Sequence, residues 1–243
     1  MRRRLDIVST SNASDLGFLA LSDLASAAER TDYRVVGGHM VALLGYSFPT
    51  PGATIRATTD ADVGIARLAA AGGELHTALQ LHGYQPVLGN QYVKSVGEGE
   101  LSIDVLVPRT TSDGTAILGG RGFDPIPGLS LALAIDPIQI ETRVTLRDGA
   151  VREFVVPVPS VESAVVLKVL AWDKRMADKD LADLAALLEI AAAFRAEIDW
   201  QLDQIPLRGE RLDCARAAQR LLRLPRKLPA RTRALLQSFI GQA

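Results

Sequence analysis

Several features that define other protein classes are scarce or missing in this sequence. The 243 residues include one cysteine, Cys214, which excludes a disulfide framework and predicts a reducing compartment such as the cytoplasm. The longest apolar runs fall well short of the roughly 18 residues that a membrane-spanning helix needs. The basic start at residues 1–4 is not followed by an apolar signal core. We therefore expect a cytoplasmic protein without a membrane partner.

The sequence also lacks the common short motifs of catalytic and metal sites. The histidines, His39, His76 and His82, lie in separate segments, and no Cys/His pair has zinc-ligand spacing. Neither a Gly-x-Ser-x-Gly elbow nor a Walker pattern occurs. A hydrophobic content of 48% excludes a disordered chain, and the length allows one large domain or two small ones.

The net charge of −1 conceals an uneven distribution of charge. Residues 206–243 contain nine Lys/Arg and two acids, a balance of +7, which leaves −8 on the first 205 residues. The nine cations are Arg208, Arg211, Arg216, Arg220, Arg223, Arg226, Lys227, Arg231 and Arg233. A cationic tail predicts a polyanionic partner, and the equally weighted alternative is a solvated helix face.

The strongest functional signal is a glycine turn that is followed by paired carboxylates. Val35-Val36-Gly37-Gly38-His39 is typical of a strand, a tight turn and the start of a helix, and Asp60 and Asp62 lie in a second predicted strand over 54–65. Because a strand repeats every two residues, the two carboxylates share a face, about 7 Å apart. Such oxygen ligands suit Mg²⁺, and a glycine turn at a helix start lets N–H groups approach a triphosphate. Asp-x-Asp alone is more often a solvated loop or cap.

Two later segments carry further charged candidates. Residues 101–108 predict a strand buried on both faces, in which the lone charge of Asp104 should be paired or bind metal. A single helix is predicted from a cap at Ser160 to about Ala193. The side opposite its apolar stripe carries three cations in line, Lys168, Arg175 and Lys179. These cations would hold phosphates if they faced an acidic metal site, and otherwise they belong to an ordinary amphipathic surface helix.

The remaining pattern predicts the elements around these segments. The glycine-rich stretch 109–128 is predicted to be a mobile flap, and 138–146 with 151–158 a hairpin. Further helices are predicted over 15–29, 68–82, 194–202, 212–224 and 230–240.

Together these residues resemble the nucleotidyltransferase superfamily with the polymerase-β-type core, and more narrowly the AbiEii/MenT group of type IV toxins. The matching residues are Gly37-Gly38, Arg56-x-Thr58-x-Asp60-x-Asp62, Asp104, and Lys168-x6-Arg175-x3-Lys179-Asp180-x2-Asp183. His39 departs from the small hydroxyl residue that is usual at or after the second glycine. The resemblance implies an α+β fold, with a mixed β-sheet flanked by helices in a core over 1–158 and a helical C-terminal domain over 159–243.

The resemblance also implies a Mg²⁺-dependent transfer of an NMP from an NTP to a hydroxyl. Asp60, Asp62 and Asp104 would hold two Mg²⁺ ions, or Asp104 would act as the base for the hydroxyl. Lys168 would complete the catalytic set by neutralising charge on pyrophosphate. The nucleotide would be held by Gly37, Gly38, His39, Arg56, Thr58, Arg175, Lys179 and Asp183. Asp183 would also orient Lys179 through an i, i+4 pair.

Three functions remain open at this point. The first is nucleotide transfer to RNA, with a tRNA 3′ end as the leading case, by a toxin that has an antitoxin partner and binds RNA through the basic C-terminal helices. The second is transfer to a protein or to a small molecule, for which the acidic body would suit a cationic acceptor such as an aminoglycoside. The third is a catalytically silent nucleotide- or RNA-binding module of the same fold, in keeping with His39.

Overall fold

The structure is a computed structural model that describes residues 1–97, 99–110, 114–224 and 227–241. Arg226 of the basic tail and residues 111–113 of the predicted flap lie outside the described residues. The strands are β1 (Arg2–Val8), β2 (Tyr33–Val35), β3 (Asp60–Ile65), β4 (Gln85–Leu88), β5 (Gln91–Val96), β6 (Gly99–Pro108), β7 (Ala116–Leu118), β8 (Arg121–Ile126), β9 (Ile138–Thr145) and β10 (Val151–Val158). The helices are α1 (Asn12–Ala27), α2 (Gly37–Ser47), α3 (Arg67–Gly72), α4 (Glu74–Leu81), α5 (Leu129–Ala134), α6 (Val161–Arg175), α7 (Asp178–Ala193), α8 (Gly209–Arg223) and α9 (Ala230–Phe239).

The strands form two mixed sheets flanked by helices, which confirms the predicted α+β class. The larger sheet has the order β2-β3-β6-β5-β4. Strand β8 pairs with β6 and also with β7. Strand β3 is parallel to β6, whereas β5 is antiparallel to it. The smaller sheet has the order β1-β9-β10, with β1 parallel and β10 antiparallel to β9.

Strands β3 and β6 have one face in the core and one face toward a cleft. Ala61 and Val63 are fully buried, so the alternation of a strand turns Asp60 and Asp62 to the opposite face, as predicted. In β6 the buried Ile103 and Val105 likewise alternate with Asp104. The prediction that β6 is buried on both faces was therefore wrong, because the Asp104 face is only partly covered.

The hydrophobic core is continuous across the predicted domain boundary. One cluster of buried side chains includes Val105 and Val156 before residue 158, and Val166 and Leu184 after it. The division at 158 stays a prediction. No helix in the described part of the chain is long and apolar enough to cross a membrane.

The predicted single helix over 160–193 is two helices. Ser160 caps α6 as predicted, and its Oγ accepts a hydrogen bond from Ser163 N at 3.2 Å. The helix ends at Met176, which has left-handed backbone angles (φ 51°), and α7 begins at Asp178. Lys179 therefore lies on a different helix from Lys168, and the in-line arrangement of the cations, which assumed one continuous helix, was wrong.

Other local differences have similar causes. The helix predicted over 68–82 breaks at Gly73, which has a φ of 77°. The strand predicted from residue 54 begins only at Asp60, and 194–202 forms turns instead of a helix. The described part of the predicted flap contains β7 and β8.

Candidate active site

One polar cavity collects most of the predicted site residues. It has a volume of about 380 Å³ and lies among the N-terminus of α2, the segment before β3, and strands β3 and β6. Ten of the twelve candidates line it: Gly37, Gly38, Arg56, Thr58, Asp60, Asp62, Asp104, Lys168, Arg175 and Lys179. The two that do not are His39 and Asp183.

Asp62 and Asp104 are the facing pair of carboxylates in this cavity. They are register partners on the parallel strands β3 and β6, which lie about 4.8 Å apart, and both are half-buried. Asp60 is exposed at the start of β3, and its Oδ1 accepts a hydrogen bond from Thr59 Oγ1 at 3.1 Å. Within the described ranges, no group of three or more His, Cys, Asp or Glu side chains could hold a metal ion. The geometry is thus that of a two-carboxylate site with Asp60 beside it.

The pKa values of both facing carboxylates are raised. The pKa of Asp104 is raised to about 6, first by burial and then by the negative charges of Asp62, Asp60 and Asp124. Burial likewise raises the pKa of Asp62, and the charge of Asp60 adds to this effect while that of Lys168 opposes it. A cation between the two carboxylates would relieve this repulsion.

Gly37 is the residue that lets α2 begin against Asp62. A Cβ at this position would lie 1.7 Å from Asp62 Oδ2, and the backbone φ of 64° also favours glycine. Val36 N donates a hydrogen bond to the backbone carbonyl of Asp62 at 2.9 Å. The carboxylate of Asp62 therefore lies at the positive N-terminal end of α2, which favours negative charge there.

Lys168 and Arg56 share one buried carboxylate. Lys168 Nζ lies 2.7 Å from Asp183 Oδ2, and the side chains of both residues are less than 5% exposed. Arg56 donates to the same carboxylate through Nε at 2.8 Å and Nη2 at 3.0 Å. The predicted pairing of Asp183 with Lys179 was wrong: both lie on α7 at the predicted spacing, but Asp183 is buried against Lys168 of α6, whereas Lys179 is exposed.

The other two cations differ in how they are held. Arg175 donates two hydrogen bonds of 2.6 Å to the fully buried Asp180. Lys179 is exposed and forms no ion pair with any residue that the structure describes. The cavity therefore has three cations fixed by carboxylates of α7, and one cation that is available to a bound anion.

His39 lies away from the cavity lining, on a side of α2 that faces Gly17 and Phe18 of α1. It is buried against Phe18, with ring centroids 6.0 Å apart, and its Nε2 has no hydrogen-bond partner among the described residues. Burial, with a smaller contribution from the charge of Arg56, lowers the pKa of His39 to about 3. A neutral histidine in this position has the character of a core residue, and its predicted contact with the nucleotide stays a prediction.

A second cleft opens from the same carboxylates and is much more apolar. It has a volume of about 620 Å³, and it shares Gly37, Asp62, Asp104, Lys168 and Arg175 with the polar cavity. Its further lining includes Met40, Leu88, Leu106, Pro125, Ile126, Pro127 and Leu167.

Asp124 is a site residue that sequence reasoning missed. It lies on β8 opposite Leu106, one pleat beyond Asp104, and it lines the apolar cleft but not the polar cavity. It is exposed and has no hydrogen bond or ion pair with any described residue. The sequence signal is weak, because two prolines follow within three residues and β8 does not read as a strand.

Comparison with known proteins supports the fold. No protein-family model and no curated protein sequence matches the chain. Among solved structures, the chain is similar to an antigenic nucleotidyltransferase-like protein from Paracoccidioides brasiliensis, with 16% identity, a TM-score of 0.52, and coverage of 94% of this chain and 95% of that one. The chain has a nucleotidyltransferase-like fold. At this identity the likeness establishes the fold alone.

Two structures of the antibiotic-resistance factor ANT(2'')-Ia match more weakly. The solution structure has a TM-score of 0.40 and 14% identity, and covers 76% of this chain and 87% of that one. The crystal structure with adenylyl-2''-tobramycin has a TM-score of 0.35 and 15% identity, and covers 74% and 97%. These scores are too low to carry an argument, and the narrower resemblance to the AbiEii/MenT group stays a prediction.

The donor set of the facing pair fits a hard divalent cation. Within the described residues, the side chains of Asp62 and Asp104 accept no hydrogen bond and form no ion pair within 4 Å, and both have raised pKa values. Mg²⁺ is commonly bound by one or two carboxylates together with substrate phosphates. Asp62 and Asp104, with Asp60 beside them, are therefore the residues that could hold such an ion.

The cations of the C-terminal helices are mostly bound to acids of the same chain. The pairs are Arg211 with Glu162, Arg220 with Asp173, Lys227 with Asp178, and Arg231 with Glu189. Arg233 donates to the backbone carbonyls of Leu222 and Leu224. Arg208, Arg216 and Arg223 are exposed and unpaired within the part of the chain that the structure describes. Much of the charge asymmetry is therefore balanced within the molecule.

Proposed function

We propose that this chain is a nucleotidyltransferase that moves an NMP group from an NTP to an acceptor hydroxyl. The hydroxyl oxygen forms a bond to the α-phosphorus, the bond from the α-phosphorus to the bridging oxygen of the β-phosphate breaks, and pyrophosphate leaves. The hydroxyl proton passes to a base. As an alternative to binding the metal, Asp104 would be this base, because its pKa of about 6 lies close to neutral pH.

One observation carries the proposal: the facing carboxylates of Asp62 and Asp104 lie where a polar cavity and an apolar cleft meet. A nucleoside triphosphate has the same division, with a polyanionic end and an apolar, planar base. A reaction at the α-phosphorus requires catalytic groups at the junction between these two ends.

The polar cavity suits the β- and γ-phosphates. The backbone N–H groups of Gly37 and Gly38 lie at the N-terminus of α2, where a helix favours anions. Lys168, Arg175 and Lys179 line the same cavity, so their positive charges would stabilise the charge that develops on pyrophosphate. Arg56 and Thr58 supply further donors beside Gly38.

Mg²⁺ is part of the proposal. Bound by Asp62 and Asp104, with Asp60 beside them, it would supply positive charge to the phosphate oxygens and lower the pKa of the attacking hydroxyl. Gly37 contributes by leaving room for the carboxylate of Asp62.

An RNA acceptor, with tRNA as the leading case, remains the first proposal for the second substrate. A role as a cytoplasmic toxin with an antitoxin partner goes with it. The exposed, unpaired Arg216 and Arg223 on α8 are available for phosphate contacts. The positive charge that is left for RNA contacts is smaller than the tail charge of +7. Four of the nine cations are paired with acids of α6 and α7.

A small cationic acceptor is the second candidate, and Asp124 is the observation that favours it. This free carboxylate lines the cleft one pleat beyond Asp104, so an ammonium group on an acceptor could bind there while a hydroxyl reaches Asp104. A phosphodiester would instead be repelled by Asp124.

The deciding experiment incubates the protein with each α-labelled NTP and Mg²⁺, with either total RNA or an aminoglycoside as the acceptor. Labelled RNA that disappears in Arg216→Gln/Arg223→Gln supports the first acceptor, and label on the aminoglycoside supports the second. Loss of all label in Asp62→Asn, with folding retained, supports the reaction itself. Nucleotide binding without label on any acceptor would favour a catalytically silent module and would overturn the proposal.

A further inference from the structure

We propose that Asp183 is a positioning residue that sets Lys168 and Arg56 together, and that it acts on the nucleotide only through them. This inference rests on the proposed function, since it concerns how the phosphate cavity is held. Asp183 is 2% exposed and does not line the cavity, so it does not contact a phosphate bound there. Its influence must pass through the side chains that it binds.

The carboxylate of Asp183 joins three separate segments of the chain. Asp183 lies on α7, Lys168 on α6, and Arg56 on the segment 48–59, which has neither helix nor strand. Oδ1 accepts from Arg56 Nε at 2.8 Å, while Oδ2 accepts from Arg56 Nη2 at 3.0 Å and lies 2.7 Å from Lys168 Nζ. One side chain thus fixes two cations that line the cavity and come from separate segments of the chain.

The ion pair helps to hold the cavity-lining end of the segment 48–59 in place. The segment is also held by packing: Phe48 packs on Phe194, Ile55 fills the space over Gly45, and Thr58 fills the space over Gly38. Arg56 lies between these contacts and supplies the charged link to α7. Release of Arg56 would therefore also loosen Thr58, which lines the cavity.

Charge explains why the link needs a carboxylate. The side chain of Lys168 is 4% exposed, and its one other acidic neighbour within 4 Å among the described residues is Asp180, at 3.7 Å. Asp180 already accepts two hydrogen bonds of 2.6 Å from Arg175, so without Asp183 the buried ammonium group would be poorly paired and destabilised. With an amide in place of Asp183, Lys168 and Arg56 would repel each other at the same point. We expect Arg56 to move into solvent, and the segment 48–59 to move with it.

The test compares the effect of one substitution in two backgrounds, as in a double-mutant cycle. The measured quantities are the equilibrium affinity for NTP with Mg²⁺, and the KM and kcat of transfer. Asp183→Asn is expected to weaken NTP binding and raise KM by about 10- to 100-fold, the usual cost of losing a residue that orients a binding group. In the background Lys168→Met/Arg56→Met, the same substitution should change binding by less than about threefold, because the two groups through which it acts are gone. Equal losses in both backgrounds would show an independent structural role and overturn the inference.

Two further variants keep the test decisive. Asp178→Asn is the matched control, since it also neutralises an aspartate of α7, but that aspartate is exposed and bound to Lys227. It should leave binding and KM unchanged. If Asp183→Asn does not fold, Asp183→Glu retains the charge on a longer side chain, and a several-fold weaker NTP affinity in the folded protein is expected. An unaltered affinity in Asp183→Glu would count against the proposal.

The outcome separates this inference from the proposed function. If the unaltered protein binds no NTP, the proposed function and the inference both fail. If it binds and transfers the nucleotide but the cycle is additive, only the role of Asp183 fails.

Discussion

Asp62 and Asp104 face each other across the parallel pair of β3 and β6, and neither carboxylate has a bonded partner among the described residues. Two half-buried negative charges at this distance destabilise the fold when no cation lies between them. The arrangement is thus unfavourable for the metal-free protein and favourable for a protein that binds a cation. Stability and activity should therefore respond in opposite directions at these two positions.

We predict that Asp104→Asn lowers nucleotide transfer by about 10²- to 10⁴-fold, the range for loss of a positioned acid or base, and raises thermal stability without divalent ions. The folded pKa of Asp104 is about 6, above its ordinary value of 3.8. The folded state then binds the proton more tightly, so wild-type stability falls as pH rises from about 4 to 6. The variant should be more stable than wild type at pH 7.5 and equally stable at pH 4, as measured by thermal melting in EDTA.

Asp6→Asn is the control for this prediction, because Asp6 is an exposed aspartate on β1 in the smaller sheet. It should leave transfer activity and the melting temperature at pH 7.5 unchanged. A variant at Asp104 that melts at a lower temperature than wild type at pH 7.5 would contradict the repulsion between the carboxylates.

The sequence predicted the parts of the site that depend on local pattern. The side-chain alternation of a strand was enough to give the shared face of Asp60 and Asp62, and the charge of Asp104 within an apolar strand was enough to single it out. Parts that depend on long-range contacts could not be predicted. Asp183 reaches Arg56 across 127 positions of sequence, and no local pattern reports such a partner.

The break at Met176 shows a second limit. Left-handed backbone angles usually signal glycine or asparagine, and methionine gives no such signal. The helical pattern of residues 160–193 therefore looked continuous, and this error placed Lys179 in line with Lys168 and Arg175. The ion pairs of the C-terminal cations could not be predicted either. Like the partner of Arg56, their acidic partners lie on helices that are distant in the sequence.

We predict that Gly37→Ala lowers transfer by about 100-fold, the effect expected when a reacting group is displaced by about 1 Å. The added Cβ would lie 1.7 Å from Asp62 Oδ2, so the carboxylate must move. The left-handed φ adds a cost of about 1–3 kcal/mol in stability, which chemical denaturation would measure. Gly72→Ala is the control, because no atom lies within 4 Å of its added Cβ. Normal activity in Gly37→Ala would mean that Asp62 does not need this position.

We predict that His39 makes the protein less stable in mild acid. Its folded pKa of about 3 lies below its ordinary value of 6.5, chiefly because of burial. Below pH 6.5 the unfolded chain therefore binds a proton that the folded chain does not, and stability falls as pH decreases, by about 2 kcal/mol at pH 5. The substitution His39→Gln should remove this contribution, so denaturation at pH 7.5 and pH 5 should show a smaller pH dependence in the variant. An identical pH dependence in both proteins would indicate that His39 is charged or exposed.

We predict that the effect of Asp124→Asn on the KM for the acceptor distinguishes the two candidate acceptors. If the acceptor is a small cation, loss of this carboxylate should raise the KM for the acceptor by roughly threefold to tenfold, the value of one charged hydrogen bond at a partly exposed site. The KM for the NTP should change less, because Asp124 does not line the polar cavity. If the acceptor is RNA, removal of a negative charge beside the reacting hydroxyl should instead lower the KM for RNA, most clearly at low salt. Asp136→Asn, at an exposed position that lines neither cavity, controls for the change in net charge. Identical KM values for the acceptor in Asp124→Asn and Asp136→Asn would exclude Asp124 from acceptor recognition.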